Sequence, residues 1–244
     1  MREKGVTIFV SAYKATAFMG ECLDSIYASM AGFSYPWELL LGVDGCQDTL
    51  DCVMAYPLGY DTSVYYFDQN VGTYVVSNTL IELARYDYMV RFDSDDIMLP
   101  ALPRHLQLAK FATSGNLLRL TYRNIVSFKP FMYRPGKSGL TVATGIIGIP
   151  ETLLPVLGGY RSWRCAADAD LLVRSKRSGA HRDVIRSFDP VNPSFLRRTH
   201  AASLTKCVEY GAGSEIRKRY HALGEHDKRT IYVEPVVANC RRMA

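Results

Sequence analysis

A chain of 244 residues, 48% hydrophobic and 22% charged, has ordinary globular composition and is long enough for one large α/β domain. Its longest apolar runs, TIFVSAY and WELLLGV, fall well short of the roughly 20 residues that span a bilayer, and MREKGV runs into a strand without a signal-peptide core. A cytoplasmic protein with no transmembrane segment is expected. The net charge of +5 hides a polarity: residues 1–100 hold 5 Lys/Arg against 14 Asp/Glu, a net of −9, and residues 101–244 hold 24 against 10, a net of +14. A basic half implies an anionic partner. Six cysteines at 22, 46, 52, 165, 207 and 240 show no CxxC pair and no metal-ligand spacing, so free thiols are expected.

In chain order, VTIFVS (6–11) reads as a strand. TAFMGECLDSIYASM then places Met19, Leu23, Ile26 and Met30 on one helical face, with Thr16 as N-cap. WELLLGV (37–43) is a buried strand, followed by the turn DGCQDT and a short helix over 48–55. SVYYF (63–67), the loop DQNVG, a helix over 73–86 and the strand YMVRF (88–92) complete the series. Strand and helix alternating at this spacing predict a parallel sheet with crossover helices. Ligands bind at the carboxyl ends of such strands, and three of those ends carry polar residues: Ser11 to Tyr13, Asp44, and Asp93 to Asp96.

The last of these reads VRFDSDDIMLP, with three carboxylates in four positions. Like charges so close need a positive partner. Oxygen ligands gathered at a strand end suit a hard divalent cation, Mg²⁺ or Mn²⁺. Asp96 has a second reading as the cap of a helix beginning near Pro100.

The segments VTIFVSAYKATAFMGECLDSI, LLLGVDGCQDT, NVG and YDYMVRFDSDDIMLP resemble, in order and spacing, the N-terminal half of family 2 glycosyltransferases of the GT-A fold. The resemblance is close over residues 6 to about 103 and continues more thinly to about 206. It departs at Ser11-Ala12-Tyr13-Lys14, which replaces the usual turn, and at GVDGC, which keeps only the second of two usual aspartates, Asp44. The arginine that often follows the Asn-x-Gly loop has no counterpart between Tyr74 and Asn78. The resemblance implies one continuous GT-A-like α/β domain, a mixed sheet flanked by helices. Residues 1–103 would form its nucleotide-sugar half, and residues 104–244 an acceptor half with a basic C-terminal helical region.

Carried residue by residue, the resemblance implies that Ser11, Tyr13 and Asp44 contact the donor base. Asp93 would meet the ribose or metal and Asp95 the metal, while Asp96 stays between acceptor contact and helix cap. GGYRSWRCAADADLLVRSKRSG (158–179) resembles the family's Gly-Gly-Phe and Glu-Asp-x-Asp-Leu segments, with Ala167 where glutamate is common. Asp168 then matches the catalytic base, and Gly159, Tyr160 and Trp163 join Asp96 as acceptor contacts. Asp170 lies roughly 200° around a helix from Asp168 and takes a structural role. FLRRTHAASLTK (195–206) resembles the family's Tyr-Arg-x-His segment followed by Ser, which implies His200 as a metal or diphosphate ligand, and Arg197 and Arg198 are expected on the diphosphate.

The function implied is a metal-dependent, inverting transfer of a sugar from a nucleotide-sugar donor to an acceptor hydroxyl. The basic half, with clusters at Arg174/Lys176/Arg177, Arg197/Arg198 and Arg217/Lys218/Arg219, points to a polyanionic acceptor such as DNA bearing hydroxymethylated pyrimidines. The alternatives are a lipid-linked or surface glycan, and an inactive module that binds nucleotide sugar or nucleic acid, suggested by the missing first aspartate and by Ala167.

Overall fold

The computed structural model describes all residues except 113–116, 130, 137–138, 183–190, 202 and 228. The first half alternates as its sequence pattern predicts. Strand β1 spans Glu3–Ala12, α1 Met19–Met30, β2 Trp37–Asp44, α2 Gln47–Met54, β3 Thr62–Phe67, α3 Thr73–Leu83 and β4 Tyr86–Asp93. Then come β5 (Ile97–Met98), α4 (Ala101–Ala112), β6 (Leu117–Lys129), β7 (Met132–Pro135) and β8 (Thr141–Pro150). Helices α5 (Leu154–Leu157) and α6 (Ala167–Arg177) precede β9 (His181–Arg182), β10 (Phe195–Thr199), α7 (Glu215–His226) and β11 (Arg241–Arg242).

Two boundaries differ from expectation. Helix α1 begins at Met19 after Phe18, whose side chain makes no cap, so Thr16 is not the N-cap. Helix α3 stops at Leu83 because Ala84 turns extended and Tyr86 enters β4.

The sheet order is β11-β3-β2-β1-β4-β8-β6-β10-β5, with β7 and β9 also paired to β6. Strands β3, β2, β1 and β4 are mutually parallel, whereas β8 runs antiparallel to both β4 and β6. Alternation along β1 divides the core between the two faces: Ile8 and Val10 pack with α1 through Met19, Leu23 and Ile26. Phe9 faces the other way, with Val76 and Leu80 of α3 and Leu171 of α6. Covered on both faces, β1 is buried without interruption from Gly5 to Val10, as a central parallel strand is.

The C-terminal region is only partly helical. After α7 the chain runs extended across the α3 face. Val233 exchanges backbone hydrogen bonds with Leu157 and Gly159, Ala238 donates to Thr79 Oγ1, and β11 closes the β3 edge. Gly158 has φ +64, and a Cβ there would lie 1.9 Å from the Val233 carbonyl oxygen, so this crossing requires glycine. Arg174 of α6 lies beneath it with no exposed side chain. Its Nε donates to Asp170 at 2.8 Å, and its remaining nitrogens reach the carbonyls of Leu157, Gly159 and Ile231. Asp170 is also paired to Arg161 at 3.1 Å. The structural role expected for Asp170 is what the geometry gives it. Among the described residues no helix is long and apolar enough to cross a membrane, and all six cysteines are free.

Removing one partner of a buried ion pair strands the other charge, at a cost of about 3–5 kcal/mol. Asp170→Ala should therefore lower unfolding free energy in urea by about that amount, while Lys218→Ala, which breaks the exposed pair with Glu215, should leave the midpoint unchanged.

Candidate active site

The parallel strands end along one edge, and the polar strand ends converge there. Ser11 lies opposite Asp93 of β4 and Gly42 of β2 in the sheet register. Tyr13 is 45% exposed just beyond, with the Lys14 ammonium 5.3 Å from its ring centre. Lys14 adopts φ 50, which turns the chain away after β1.

Asp44, at the end of β2, is 1% exposed and spends both oxygens on the loop after β3. Oδ1 accepts from the Val71 amide at 2.7 Å; Oδ2 accepts from the Gly72 amide and Asn70 Nδ2, both at 3.0 Å. Burial raises its pKa, while these amides and Arg164 oppose the rise. Gly45, at φ +64, brings the β2–α2 turn so close to this loop that a Cβ would lie 2.4 Å from the backbone of Gln69 and Asn70. Arg164, which precedes α6, completes the loop by donating to the side chain and carbonyl of Asn70. An arginine thus serves the Asn-x-Gly loop although none follows it in sequence.

Asp93 and Asp168 meet across the α3–α6 face. Arg91, two residues before Asp93 and so on the same side of β4, is 7% exposed. Its Nη2 lies 2.8 Å from Asp93 Oδ1, its Nη1 donates to the Gly145 carbonyl at 2.9 Å, and its guanidinium carbon sits 5.5 Å from the Tyr74 ring centre. Burial pushes Asp93 above the usual carboxylate range, with Asp95 and Asp168 adding to the rise and Arg91 opposing it. Asp168 lies in the first turn of α6 and its Oδ1 accepts a 2.8 Å hydrogen bond from Tyr74. Burial, and then Asp168, raise the Tyr74 phenol, which keeps it a donor. A Cβ on Gly145 would touch both Arg91 Nη1 at 2.8 Å and Asp168 Oδ2 at 3.1 Å. Sequence reasoning missed Arg91 and Tyr74. The signal for Arg91 was present, as a charged residue inside the otherwise apolar run YMVRF.

The remaining carboxylates of the β4 end are bound by β10 and the residue after it. Asp95 Oδ2 lies 2.9 Å from His200 Nε2, and the His200 ring packs 4.7 Å from Phe18. Asp96 is buried. It neither caps α4 nor faces an acceptor, because its Oδ1 accepts from the Arg198 amide at 2.7 Å. Burial pushes it well above the usual carboxylate range, and Asp95 and Asp93 add to the rise.

Several residues expected in the site lie elsewhere. Arg198 cannot meet a diphosphate. Its side chain is fully buried and donates to the Asp95 carbonyl at 2.6 Å, Ser127 Oγ at 2.5 Å and Glu21 Oε2 at 2.7 Å, stacked 4.4 Å from the Phe18 ring centre. Arg197, its neighbour, faces the other side of β10, 5.6 Å from the Tyr122 ring centre and half-buried. Tyr160 is wholly buried beside Tyr74, and its amide donates to Asn78. Gly159 is enclosed by Asn78 and Pro235. Trp163 stacks on Tyr220 of α7 at 4.7 Å and docks that helix. Tyr160 and Gly159 are therefore framework, not acceptor contacts.

Parts of the basic clusters are similarly spent. Arg174 and Arg198 are buried, Arg177 donates to the carbonyls of Asp227 and Gly224, Arg217 donates to those of Tyr210 and Gly211, and Lys218 pairs with Glu215. Of the eight clustered cations, Arg174 and Arg198 are buried and lost to a DNA-holding surface, while Lys176, Lys218 and Arg219 stay exposed.

A parallel sheet with carboxylates at its carboxyl edge, extended by an antiparallel β6–β8 unit, defines a nucleotide-sugar-transferase type of fold. Residues 7–145, more than half the chain, match the model of glycosyl transferase family 2, and the protein belongs to that family. Among solved structures it is similar to residues 1–349 of TarS from S. aureus in complex with UDP-GlcNAc, with TM-score 0.62, 12% identity, 82% of this chain and 60% of that one covered. It is also similar to the mannosyltransferase PcManGT from Pyrobaculum calidifontis in complex with GDP-Man and Mn²⁺, with TM-score 0.55, 16% identity, 81% of this chain and 57% of that one. At such identities the likeness is one of fold, and the chain spans about 60% of the length of these neighbours. No curated protein sequence matches it.

Each buried amide left without its acceptor costs about 1–3 kcal/mol. Asp44→Ala should therefore accelerate amide exchange at Val71 and Gly72 by at least about tenfold, with core strand amides little changed. Unchanged exchange at both would show that Asp44 does not hold the loop.

Proposed function

We propose that the crevice transfers a glycosyl group from a nucleoside diphosphate sugar to an acceptor hydroxyl, with inversion at the anomeric carbon. The observation that carries this reading is the convergence of Asp168 with Asp93 at the carboxyl edge of the sheet, where Tyr74 fixes one and Arg91 the other. Tyr13 offers an open ring for stacking on the nucleotide base, beside Ser11 at the end of β1. Asp44 serves the base by fixing the loop at 70–72 that walls the same end of the sheet. Arg197 is the cation of β10 left for the diphosphate.

The donor set fits a hard divalent cation. Asp95 and His200 are aimed at one another across 2.9 Å with both side chains partly open, and oxygen-rich sites of this kind take Mn²⁺ or Mg²⁺. Among the described residues no three candidate ligands are already gathered; Asp95 and His200 would hold the cation, with Asp93, two residues before Asp95, as a further oxygen ligand. Such a cation, when bound, supplies charge stabilisation to the departing diphosphate.

The protein's own residues do the rest. Asp168 accepts the proton of the acceptor hydroxyl as its oxygen bonds to the anomeric carbon. The bond from that carbon to the diphosphate oxygen breaks on the opposite face, and the electron pair leaves with the nucleoside diphosphate. The Tyr74 hydroxyl holds Asp168 Oδ1 and leaves Oδ2 for the proton.

Asp168→Asn keeps shape and loses the basic oxygen. Turnover of a nucleotide sugar should fall by about 10²–10⁴-fold, with donor affinity by calorimetry nearly unchanged. Parallel loss of both would make Asp168 a structural residue.

A further inference from the structure

Among the described residues, the hairpin joining β6 to β7 carries a run of three exposed large apolar side chains beside the site. Phe131, Met132 and Tyr133 are 68%, 50% and 45% exposed, and Arg134 and Pro135 after them are exposed too. Three consecutive large apolar residues facing water on a short strand are costly without something to cover them. Charge identifies the cover. Between Ile97 and Pro150 the chain holds 7 Lys/Arg and not one Asp/Glu, and Arg104, Arg123 and Arg134 lie exposed in that stretch. An apolar tip bearing a tyrosine and set in a carboxylate-free basic segment matches the interfacial zone of an anionic bilayer. There, apolar and aromatic side chains enter the headgroup boundary while Lys/Arg meet lipid phosphates.

The tip's position in the fold adds to this. Strand β6 runs antiparallel to β8, which runs antiparallel to β4, so β6 ends at the same edge of the sheet as Asp93. The tip is also tied to the site: the Phe131 amide donates to Glu21 Oε2 at 3.1 Å, and Glu21 holds Arg198, which holds the Asp95 carbonyl. Whatever the tip touches is brought to the mouth of the crevice.

We propose that the Phe131–Tyr133 tip docks the protein on an anionic lipid surface and so presents the crevice to a lipid-anchored acceptor. The second clause rests on the transfer reading above; the docking itself does not.

The test is flotation of the full chain with vesicles of phosphatidylcholine alone and of phosphatidylcholine mixed with phosphatidylglycerol. Binding is expected to the anionic vesicles only, to weaken with salt, and to fall at least about tenfold in Met132→Ser/Tyr133→Ser, whose exposed side chains do not support the core. Arg134→Glu should weaken it by about fivefold or more, the effect of one cation near an anionic surface. Donor hydrolysis with Mn²⁺ should be the same in these variants as in the parent. Binding to neither vesicle, equal binding to both, or binding that the double variant retains would overturn the proposal. So would concentration-dependent self-association abolished by the double variant, which would assign the tip to a second copy, or binding to duplex DNA without binding to vesicles. Vesicle binding by a protein that turns over no nucleotide sugar would leave docking intact and refute the transfer reading alone.

Discussion

Asp93, Asp95 and Asp96 leave β4 within four residues, and Asp168 approaches from α6, so four carboxylates share one edge of the sheet. Like charges gathered so closely repel one another, which would splay the strand ends if nothing answered it. Arg91 answers it from inside the fold with its charge, and Arg198, whose own charge is paired with Glu21, with hydrogen bonds to the same end of β4. Arg91 rises within β4 itself and takes Asp93, and Arg198, from β10, takes the Asp95 carbonyl with its side chain and Asp96 with its amide. Burial favours the neutral form of Asp96. The compensation is incomplete on the crevice side, where Asp95 and Asp168 meet, among the described residues, a histidine and a phenol as side-chain hydrogen-bond partners. That residual negative charge is the physical basis of the cation and diphosphate site proposed above.

Two buried arginines tie the chain together, Arg198 across its two halves and Arg174 within the second. Arg198 joins α1 through Glu21, β6 through Ser127 and the β4 end through Asp95. Arg174 does the corresponding work on the opposite face, where it gathers α5, α6 and the returning C-terminal segment around four partners. The positive excess of the second half is therefore partly an internal adhesive for an acidic first half, and its size alone says little about external partners.

Much of the fold was legible because its signals are local. Short apolar runs marked β1, β2 and β4, and the polar residues that close them marked the ligand edge before any coordinates. Helical spacing set Asp168 and Asp170 on different sides of one helix, and the family resemblance chose Asp168 for the site. What escaped was whatever depends on long-range pairing. Arg197 and Arg198 look equivalent in sequence, yet alternation along β10 sends one toward Tyr122 and the other into the core. Tyr160 and Gly159 read as acceptor contacts until the C-terminal strap, some 75 residues further on, covers them through Val233 and Pro235. Arg164 reaches the loop at Asn70 from 94 residues away, and no local pattern announces such a contact.

The central claim is that this carboxylate edge, held together by Arg91 and Arg198, is built to receive a nucleoside diphosphate sugar together with a divalent cation. The most direct measurement is calorimetric titration of the intact protein with UDP- and GDP-sugars, in Mn²⁺ and again in excess EDTA. The account predicts saturable binding of at least one donor in Mn²⁺ that is lost in the chelator and in Asp95→Ala. Donor binding of equal affinity with and without the cation, or unaltered by Asp95→Ala, would contradict it.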